Sequence, residues 1–492
     1  STPRYAFTSL LPKSSGRLRN KELNELTTPK VKRKGSTLQN GKSELKMDKC
    51  LIVSKVTRYE YEKHSHNNIG DSELETVLRK RGSDYDAMLA NHKEQKAFEA
   101  KVADTLKRMG RKVEMASRYV CILKPVLAIY HSVHDLLVSY FKEVGFLLCV
   151  CYLKGCSIVH RLTYNEDLIN WCDVVVPCGG DGTFLLAASR VRDNTKPVIG
   201  FNSAPHKSVG RLCLPTWCSN DVKGALQTLK EGKFRWMRRS RIRTTVTSEP
   251  KLIDKITPVD LHTLHYCSHF SDSYFLSSST MTYDSTHTQP HVSFLQQLWA
   301  AMTVNHQNIR SHKKYCRPFQ VFIGESVTSR VSLLRLQIDQ GKWTHTKSSG
   351  LCVTTGTGST SWHYSINCLR THSVLELMKI LSEELKVQVD TKLETAREIA
   401  EMYNQRLMFP ADSEQLAYSV REYITFEEWP TPRGLRVRDK AATVAVKSHC
   451  TDAGLVIDGS VSFPFNDGTE ALLEIHPEDS LMTVQMEDAL PY

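Results

Sequence analysis

No stretch of the 492 residues stays apolar for the roughly 18 positions that a membrane-spanning helix requires. The most apolar window, VGFLLCVCYL from Val144, reaches about half that length, so the chain reads as soluble, with no membrane partner. The 14 cysteines are scattered and include no C-x-x-C pair. That removes a disulfide framework and fits reduced thiols in an intracellular compartment. No repeat of fixed period runs through the chain. The formal charge of +12 is unevenly spread, because up to Lys46 there are 11 Lys and Arg against three Glu. The remainder is only mildly basic, and a nucleic-acid partner loses its main electrostatic support.

What is present divides into two textures, and the length supports two domains. Residues 1–47, rich in Ser, Thr, Arg and Lys, resemble a mitochondrial transit peptide, with a disordered basic tail as the alternative reading. Residues 48–240 alternate strand and helix. KCLIVSKVTRYEYEK is a strand followed by a turn, and residues 72–112 are helical, with Phe98, Val102 and Leu106 four apart. A second strand is expected at 113–115. DVVVPC, KPVIGFN and GALQTLKEGKFRW continue the alternation, which predicts a parallel sheet covered by helices.

Residues 241–492 change to short alternating runs such as VSLLRLQID, ATVAVKSH and GLVIDGSVSFPFNDG, the pattern of a β-rich domain. Within it, residues 373–407 read as helical from the spacing of Leu377, Ile380 and Leu381. Two segments fit neither texture, 119–160 and 265–320. The first reads as an insertion or as translated noncoding sequence in a faulty gene model, since loops beyond about 15 residues are uncommon.

VVVPCGGDGTFLLAAS, from Val174, runs an apolar strand through glycines into a helical run. Glycines at the carboxyl end of a strand let backbone N–H groups approach phosphate oxygens, and Asp181 plants a carboxylate in that turn. The pattern suits phosphoryl transfer to a hydroxyl whose proton a carboxylate accepts. A plain tight turn would not require the aspartate. A second patch, TGTGSTSW from Thr355, offers many small donors to a nucleotide. It departs from the Rossmann fingerprint because Ser361 stands at the sixth position.

Weaker signals accompany these. His262, His265, Cys267 and His269 have spacings that zinc can use, set against an ordinary solvated loop. Arg235, Arg238, Arg239, Arg241 and Arg243 form either a charged strand face or phosphate contacts. FNDGT, from Phe465, is expected to be a hairpin turn.

The ordered set KVTRYEYE, DVVVPCGGDGTFLLAAS, KPVIGFN, GRLCLP, GKFRWMRRSRIR, VFIGES, KSSGLCVTTGTGS and VIDGSVSFPFNDG resembles the NAD kinases, and within them the mitochondrial type. The resemblance implies the NAD kinase fold: an N-terminal Rossmann-like α/β domain and a C-terminal β-rich, β-sandwich-like domain, with NAD in the cleft between. It implies a homodimer of the mitochondrial matrix that phosphorylates the adenosine 2'-hydroxyl of NAD, with Mg2+ screening ATP and inorganic polyphosphate as an alternative donor. Asp181 is then the base, and Gly179, Gly180, Gly182 and Thr183 line the phosphate path. Asn202, Thr357, Gly358, Ser359, Thr360, Ser361, Trp362 and Ser365 fall where the family holds its nucleotide, and no protein metal site is expected. One departure is Phe319 and Gln320, where most members carry Asn-Glu. A lipid kinase with the same glycine-aspartate turn, and an NAD-binding protein with impaired catalysis, are the alternative readings.

Overall fold

Strand β1 (Cys50–Ser54) is buried along its whole length, and its alternating side chains divide between two cores. The computed structural model describes residues 44–66, 68–109, 156–159, 164, 166–248, 256, 258–261, 313–424 and 435–486. After β1, where the sequence suggested a turn, Thr57 caps helix α1 (Arg58–Ser65). Its hydroxyl accepts from Glu60 N, and the Glu60 carboxylate accepts from Thr57 N at 2.9 Å, a capping box. The helical stretch 72–112 divides into α2 (Asp71–Lys80) and α3 (Tyr85–Arg108). Gly82, at φ +75, turns the chain between them, and the Asp84 carboxylate caps α3 by accepting from Ala87 N at 2.9 Å.

The strand expected at 113–115 lies outside the described residues. One neighbour of β1 is β2 (Cys156–Val159), at the end of the segment 119–160 that the sequence set apart; the rest of that segment is outside the described residues. Helix α4 (Glu166–Trp171) leads to β3 (Val174–Cys178), which pairs with the other edge of β1. Then follow α5 (Asp181–Arg190), α6 (Thr216–Asn220), α7 (Val222–Lys230) and β4 (Phe234–Arg239). The parallel order β2-β1-β3 continues through residues 197–201, which bridge β3 at Val175–Val198 and Cys178–Phe201.

Both faces of this sheet are covered. Cys50, Ile52, Val174 and Val176 pack under α3 and α7 with Val102, Leu106, Ala225 and Leu226. Leu51, Val53 and Val175 pack under α4 and α5 with Ile169, Phe184 and Ala187. Strand β1 therefore exits toward helices on one face and β3 toward a helix on the other. In open α/β sheets that reversal opens a crevice at the carboxyl ends of the two strands, where ligands bind.

Downstream come β5 (Ile242–Thr247), β6 (Val259–Asp260), β7 (Lys313–Cys316), β8 (Gln320–Glu325), β9 (Ser332–Ile338), β10 (Thr344–Ser348) and β11 (Leu351–Thr354). Helices α8 (Trp362–Asn367), α9 (Thr371–Glu383) and α10 (Leu393–Gln405) interrupt the strands. The chain then forms β12 (Leu416–Val420), β13 (Arg438–Ala441), β14 (Thr443–Ser448), β15 (Ala453–Ile457), β16 (Val461–Pro464), β17 (Glu470–Ile475) and β18 (Leu481–Met486). Among the described residues, β5 to β17 make two antiparallel sheets ordered β10-β9-β14-β17-β5-β7 and β13-β12-β11-β8-β15-β16-β6. Val246, Leu334, Val444 and Leu473 of the first meet Ile323, Val353, Leu416 and Leu455 of the second in one core, a β-sandwich.

One expectation is corrected here, while the helical reading of 373–407 holds as α9 and α10. FNDGT does not turn a hairpin: β16 pairs with β15 and β6, whereas β17 pairs with β14 and β5, so the segment crosses between sheets. In α9 the spaced residues Leu377 and Ile380 are each 53% exposed. The buried face is Val374 and Met378 against Ala396 and Ala400 of α10, because small residues let the two helices approach.

The last strand, β18, returns to the first half, pairing with β4 and bridging Pro197 through Met482. Arg241, 1% exposed, ties the halves together. Its Nε donates to the Asp479 carbonyl at 2.5 Å, and a terminal nitrogen donates to the carbonyls of Val191, at 2.6 Å, and Ala188, at the end of α5. Arg241→Leu leaves buried carbonyls without their donor, and the expected loss is about 3 kcal/mol of stability. Denaturant titration checks this, and a midpoint shift worth less than about 0.5 kcal/mol would remove Arg241 from its tie role.

Candidate active site

The G-G-D-G-T turn stands at the carboxyl end of β3. Gly180 is the N-cap of α5 and Asp181 its first residue, so the aspartate sits on the helix rather than in the loop before it. Its two oxygens accept backbone N–H groups from Leu212 at 2.8 Å and Arg211 at 3.2 Å. Thr183 is buried, with its hydroxyl beside the place that a Cβ on Gly179 would fill. Gly182 is exposed at the helix mouth, with nothing within 4 Å of the position its Cβ would take. Cys213 also borders this turn, its thiol facing the Gly179 carbonyl at 3.6 Å. Burial pushes that thiol up to about 12, the Asp181 charge adds to the rise and Arg239 opposes it.

Asn202 is 2% exposed, and its amide is used within the protein. Nδ2 donates to the Ser208 carbonyl at 2.8 Å, while Oδ1 accepts from Ala204 N at 3.2 Å and Ser208 Oγ at 3.3 Å. These bonds fold the 203–209 loop back to Gly210, whose φ of +62 turns the chain toward the two N–H groups that hold Asp181. Asn202 thus shapes the support of the aspartate.

The small-residue loop leaves β11 and enters α8. Thr357, Gly358 and Ser359 are buried, and Ser361, Trp362 and Ser365 are exposed. Ser359 Oγ donates to the Gly356 carbonyl at 2.7 Å, and a Cβ on Gly356 would collide with the Pro410 backbone. Trp362 is 39% exposed and stacks one face on Phe322, centroids 4.3 Å apart and 17° between planes. Its other face is the one available to a base. His363, next to it, is buried with a ring nitrogen 3.1 Å from Ser419 Oγ, and burial pushes it down to about 4.

One side chain links the two motifs. Arg239, at the end of β4, lies over the Phe184 ring of α5 at 6.0 Å and reaches Thr357 Oγ1 at 3.5 Å. Of the five arginines grouped in the sequence, Arg241 is structural, Arg243 pairs with Asp479 and Glu478, and Arg235 and Arg238 are exposed. Phe319 is buried in the core beneath α5, and its carbonyl accepts from Thr355 N at 2.9 Å and Thr355 Oγ1 at 3.1 Å. Gln320 accepts from Ser361 Oγ at 3.2 Å. The Asp458 carboxylate, in the β15–β16 turn, accepts the backbone N–H groups of Phe319 and Gln320, the latter at 2.9 Å. His262, His265, Cys267 and His269 lie outside the described residues.

With this geometry in place, comparison with known proteins is direct. The ATP-NAD kinase N-terminal domain matches residues 90–234, which include Asp181. Mitochondrial NAD kinase 2 of Homo sapiens is 30% identical over 441 residues, 89% of this chain and 84% of the human protein. The Xenopus tropicalis counterpart is 30% identical over 459 residues, covering 89% of this chain and 91% of its own. The chain belongs to the NAD kinase family. A bacterial NAD kinase, from Acetivibrio thermocellus, is 36% identical over 121 residues, 24% of this chain and 40% of that protein.

Residues that reading the sequence missed in this NAD kinase act through the backbone or across the fold. Arg211 and Leu212 contribute N–H groups, and Pro410 contributes a surface against Gly356. Pro410 belongs to no motif, and GRLCLP gives no sign that its backbone N–H groups hold Asp181.

Two tests follow from these contacts. Gly182→Ala should keep stability within about 1 kcal/mol because Ala favours a helix, whereas Gly356→Ala should lose more than about 2 kcal/mol because backbone must move. Thermal melts of both variants compare them, and equal losses would refute the assignment.

Burial pushes the Asp458 carboxyl up to about 7, against the lowering pull of the two N–H groups and of Arg241. The folded protein holds that proton more tightly than the unfolded chain does. The stability it contributes is complete below pH about 4 and is lost as pH rises through about 7. Melting midpoints of wild type minus Asp458→Asn should fall across that window and stay flat above it. A flat difference throughout would refute the shift.

Proposed function

We propose that this protein is a mitochondrial ATP-dependent NAD kinase, transferring the terminal phosphoryl group of ATP to the adenosine 2'-hydroxyl of NAD to give NADP. The observation that carries the chemistry is the Asp181 carboxylate at the mouth of α5, oriented by two backbone N–H groups. A carboxylate has about four lone-pair sites, so two stay available for a ribose hydroxyl. Asp181 accepts the 2'-hydroxyl proton as the oxygen–phosphorus bond forms and the bond to the β,γ-bridging oxygen breaks, releasing ADP.

The small-residue loop is the proposed seat of NAD, with Ser361, Trp362 and Ser365 as the exposed contacts and Thr357, Gly358, Ser359 and Thr360 forming the loop backbone. Gly179, Gly180, Gly182 and Thr183 are the proposed phosphate path. The reading includes two domains that meet near residue 240, and a homodimer. Among the described residues no group of three or more His, Cys, Asp or Glu side chains could hold a metal ion. The reading takes Mg2+ as arriving on the donor's phosphates, where it would supply charge neutralisation.

Purified protein with ATP, Mg2+ and NAD, assayed for NADP by a coupled dehydrogenase, tests the activity, and no NADP would sink it. Asp181→Asn should lower kcat at least about 100-fold, the usual scale for a general base, with NAD affinity largely kept. Unchanged turnover would remove Asp181 from the role of base.

A further inference from the structure

Asp181 is held from two directions, by the glycine turn that precedes it and by the 203–212 segment whose N–H groups it accepts. One buried side chain touches both supports. Gln95, on α3 and 5% exposed, donates from Nε2 to the Cys178 carbonyl at 3.0 Å, where the glycine turn begins. Its Oε1 accepts from Ser203 Oγ at 2.6 Å, where the 203–209 loop begins.

The amide is locked in this orientation. Nε2 also donates to Glu99 Oε1 at 2.7 Å, so a flip would set Oε1 against a carboxylate and a carbonyl, both acceptors. Glu99 is fixed in turn: its Oε1 accepts from Ser54 Oγ at 2.6 Å, and its Oε2 pairs with Lys96 at 3.2 Å. Lys96 also reaches Glu60 of the α1 capping box at 2.8 Å. Ser54 stands opposite Cys178 in the β1–β3 register, so the network closes on the strand that carries the turn.

Ser54, Gln95, Glu99 and Ser203 are all buried. Replacing both partners of a buried hydrogen bond by apolar groups of the same shape is often nearly neutral, so stability alone does not call for polar side chains here. A fully satisfied network is stiff, and it specifies one arrangement. The arrangement it specifies is the spacing between the two supports of Asp181.

We propose that Gln95 is a positioning residue for the phosphoryl transfer. It sets the distance between the glycine turn and the 203–212 segment, and through them the orientation of the Asp181 carboxylate, while Ser203 and Glu99 hold its amide in place. The inference rests on the kinase reading in which Asp181 is the base.

Gln95→Leu, Gln95→Glu and Ser203→Ala test it in the full-length chain, with thermal midpoints confirming that each variant is folded at the assay temperature. Gln95→Leu should lower kcat about 10- to 100-fold, the scale of a catalytic group displaced by about 1 Å, with KM for NAD and ATP within about twofold. Ser203→Ala, which removes only the partner of Oε1, should lose less. Gln95→Glu gives a pH profile that a merely structural role would not. The charged groups around the new carboxyl are Glu99 and Lys96 on α3 and, beyond Lys96, Glu60 on α1; the turn and the loop present an uncharged carbonyl and hydroxyl. The protonated carboxyl can still donate to Cys178, whereas its ionised form repels Glu99. Turnover of this variant should therefore fall with rising pH through a limb that wild type lacks.

Hydrogen exchange read by mass spectrometry follows the supports without turnover. In Gln95→Leu, peptides covering 179–184 and 203–214 should exchange faster than in wild type, with those of β14 and β17 unchanged. Wild-type kcat in Gln95→Leu, a Gln95→Glu profile parallel to wild type, or faster exchange spread evenly over the chain overturns the assignment. Wild type that makes no NADP, with exchange still faster at those two segments in Gln95→Leu, would keep the tie and refute the kinase reading. NADP formation by Gln95→Leu indistinguishable from wild type would do the reverse.

Discussion

The structure depends on a guanidinium withdrawn from water. Burial pushes Arg241 down to about 10, with Arg317 adding to the fall and Asp479 opposing it, so it remains charged at neutral pH. A buried cation is tolerated when most of its hydrogen bonds are met, and here carbonyls at Asp479 and at the end of α5 meet Nε and one terminal nitrogen, while the other terminal nitrogen has no hydrogen-bond partner among the described residues. The Ala188 carbonyl also accepts from Val191 N at 3.1 Å, and a cation at a helix C-terminus interacts favourably with the negative end of the helix dipole. Asp479, equally buried, works against desolvation through Arg243 and Arg317, which hold its carboxyl below the usual range. One cluster thus fixes the end of α5, the start of the sandwich and the approach to β18.

The consequence reaches the chemistry through α5 itself. Its C-terminal end is held by Arg241, and its first residue is Asp181, held by the Arg211 and Leu212 N–H groups. A carboxylate held in this way on a helix anchored at its other end keeps one orientation, which suits the base role proposed for it. Phe319 extends the same logic across the halves. Its ring fills the core beneath α5, and its carbonyl anchors Thr355 at the head of the small-residue loop. Gln320 keeps a polar side chain at that point, accepting from Ser361 Oγ, and Asp458 holds the backbone N–H groups of both residues.

Much of this was legible from local pattern. The apolar run at Val174 gave a buried strand, the glycines after it gave the turn, and alternation downstream gave sandwich strands with one face inward, as in β5 and β14. Position along the chain misled in two places. FNDGT has the residues of a hairpin turn, but partner choice is decided by which sheet has room for β17. The 119–160 segment seemed foreign to the fold, yet its end supplies β2, because an edge of β1 would otherwise stand unpaired.

By itself the sequence determined the two textures, the G-G-D-G-T and T-G-T-G-S motifs and the family they resemble, since turn chemistry and hydrophobic period act between near neighbours. Only the tertiary structure decided what Asn202, Arg239 and Arg241 touch, and that the last strand pairs with β4 and bridges Pro197. Those outcomes depend on groups far apart in the chain meeting in a dry interior. There each unpaired polar atom is costly, and no local pattern records which partner will satisfy it.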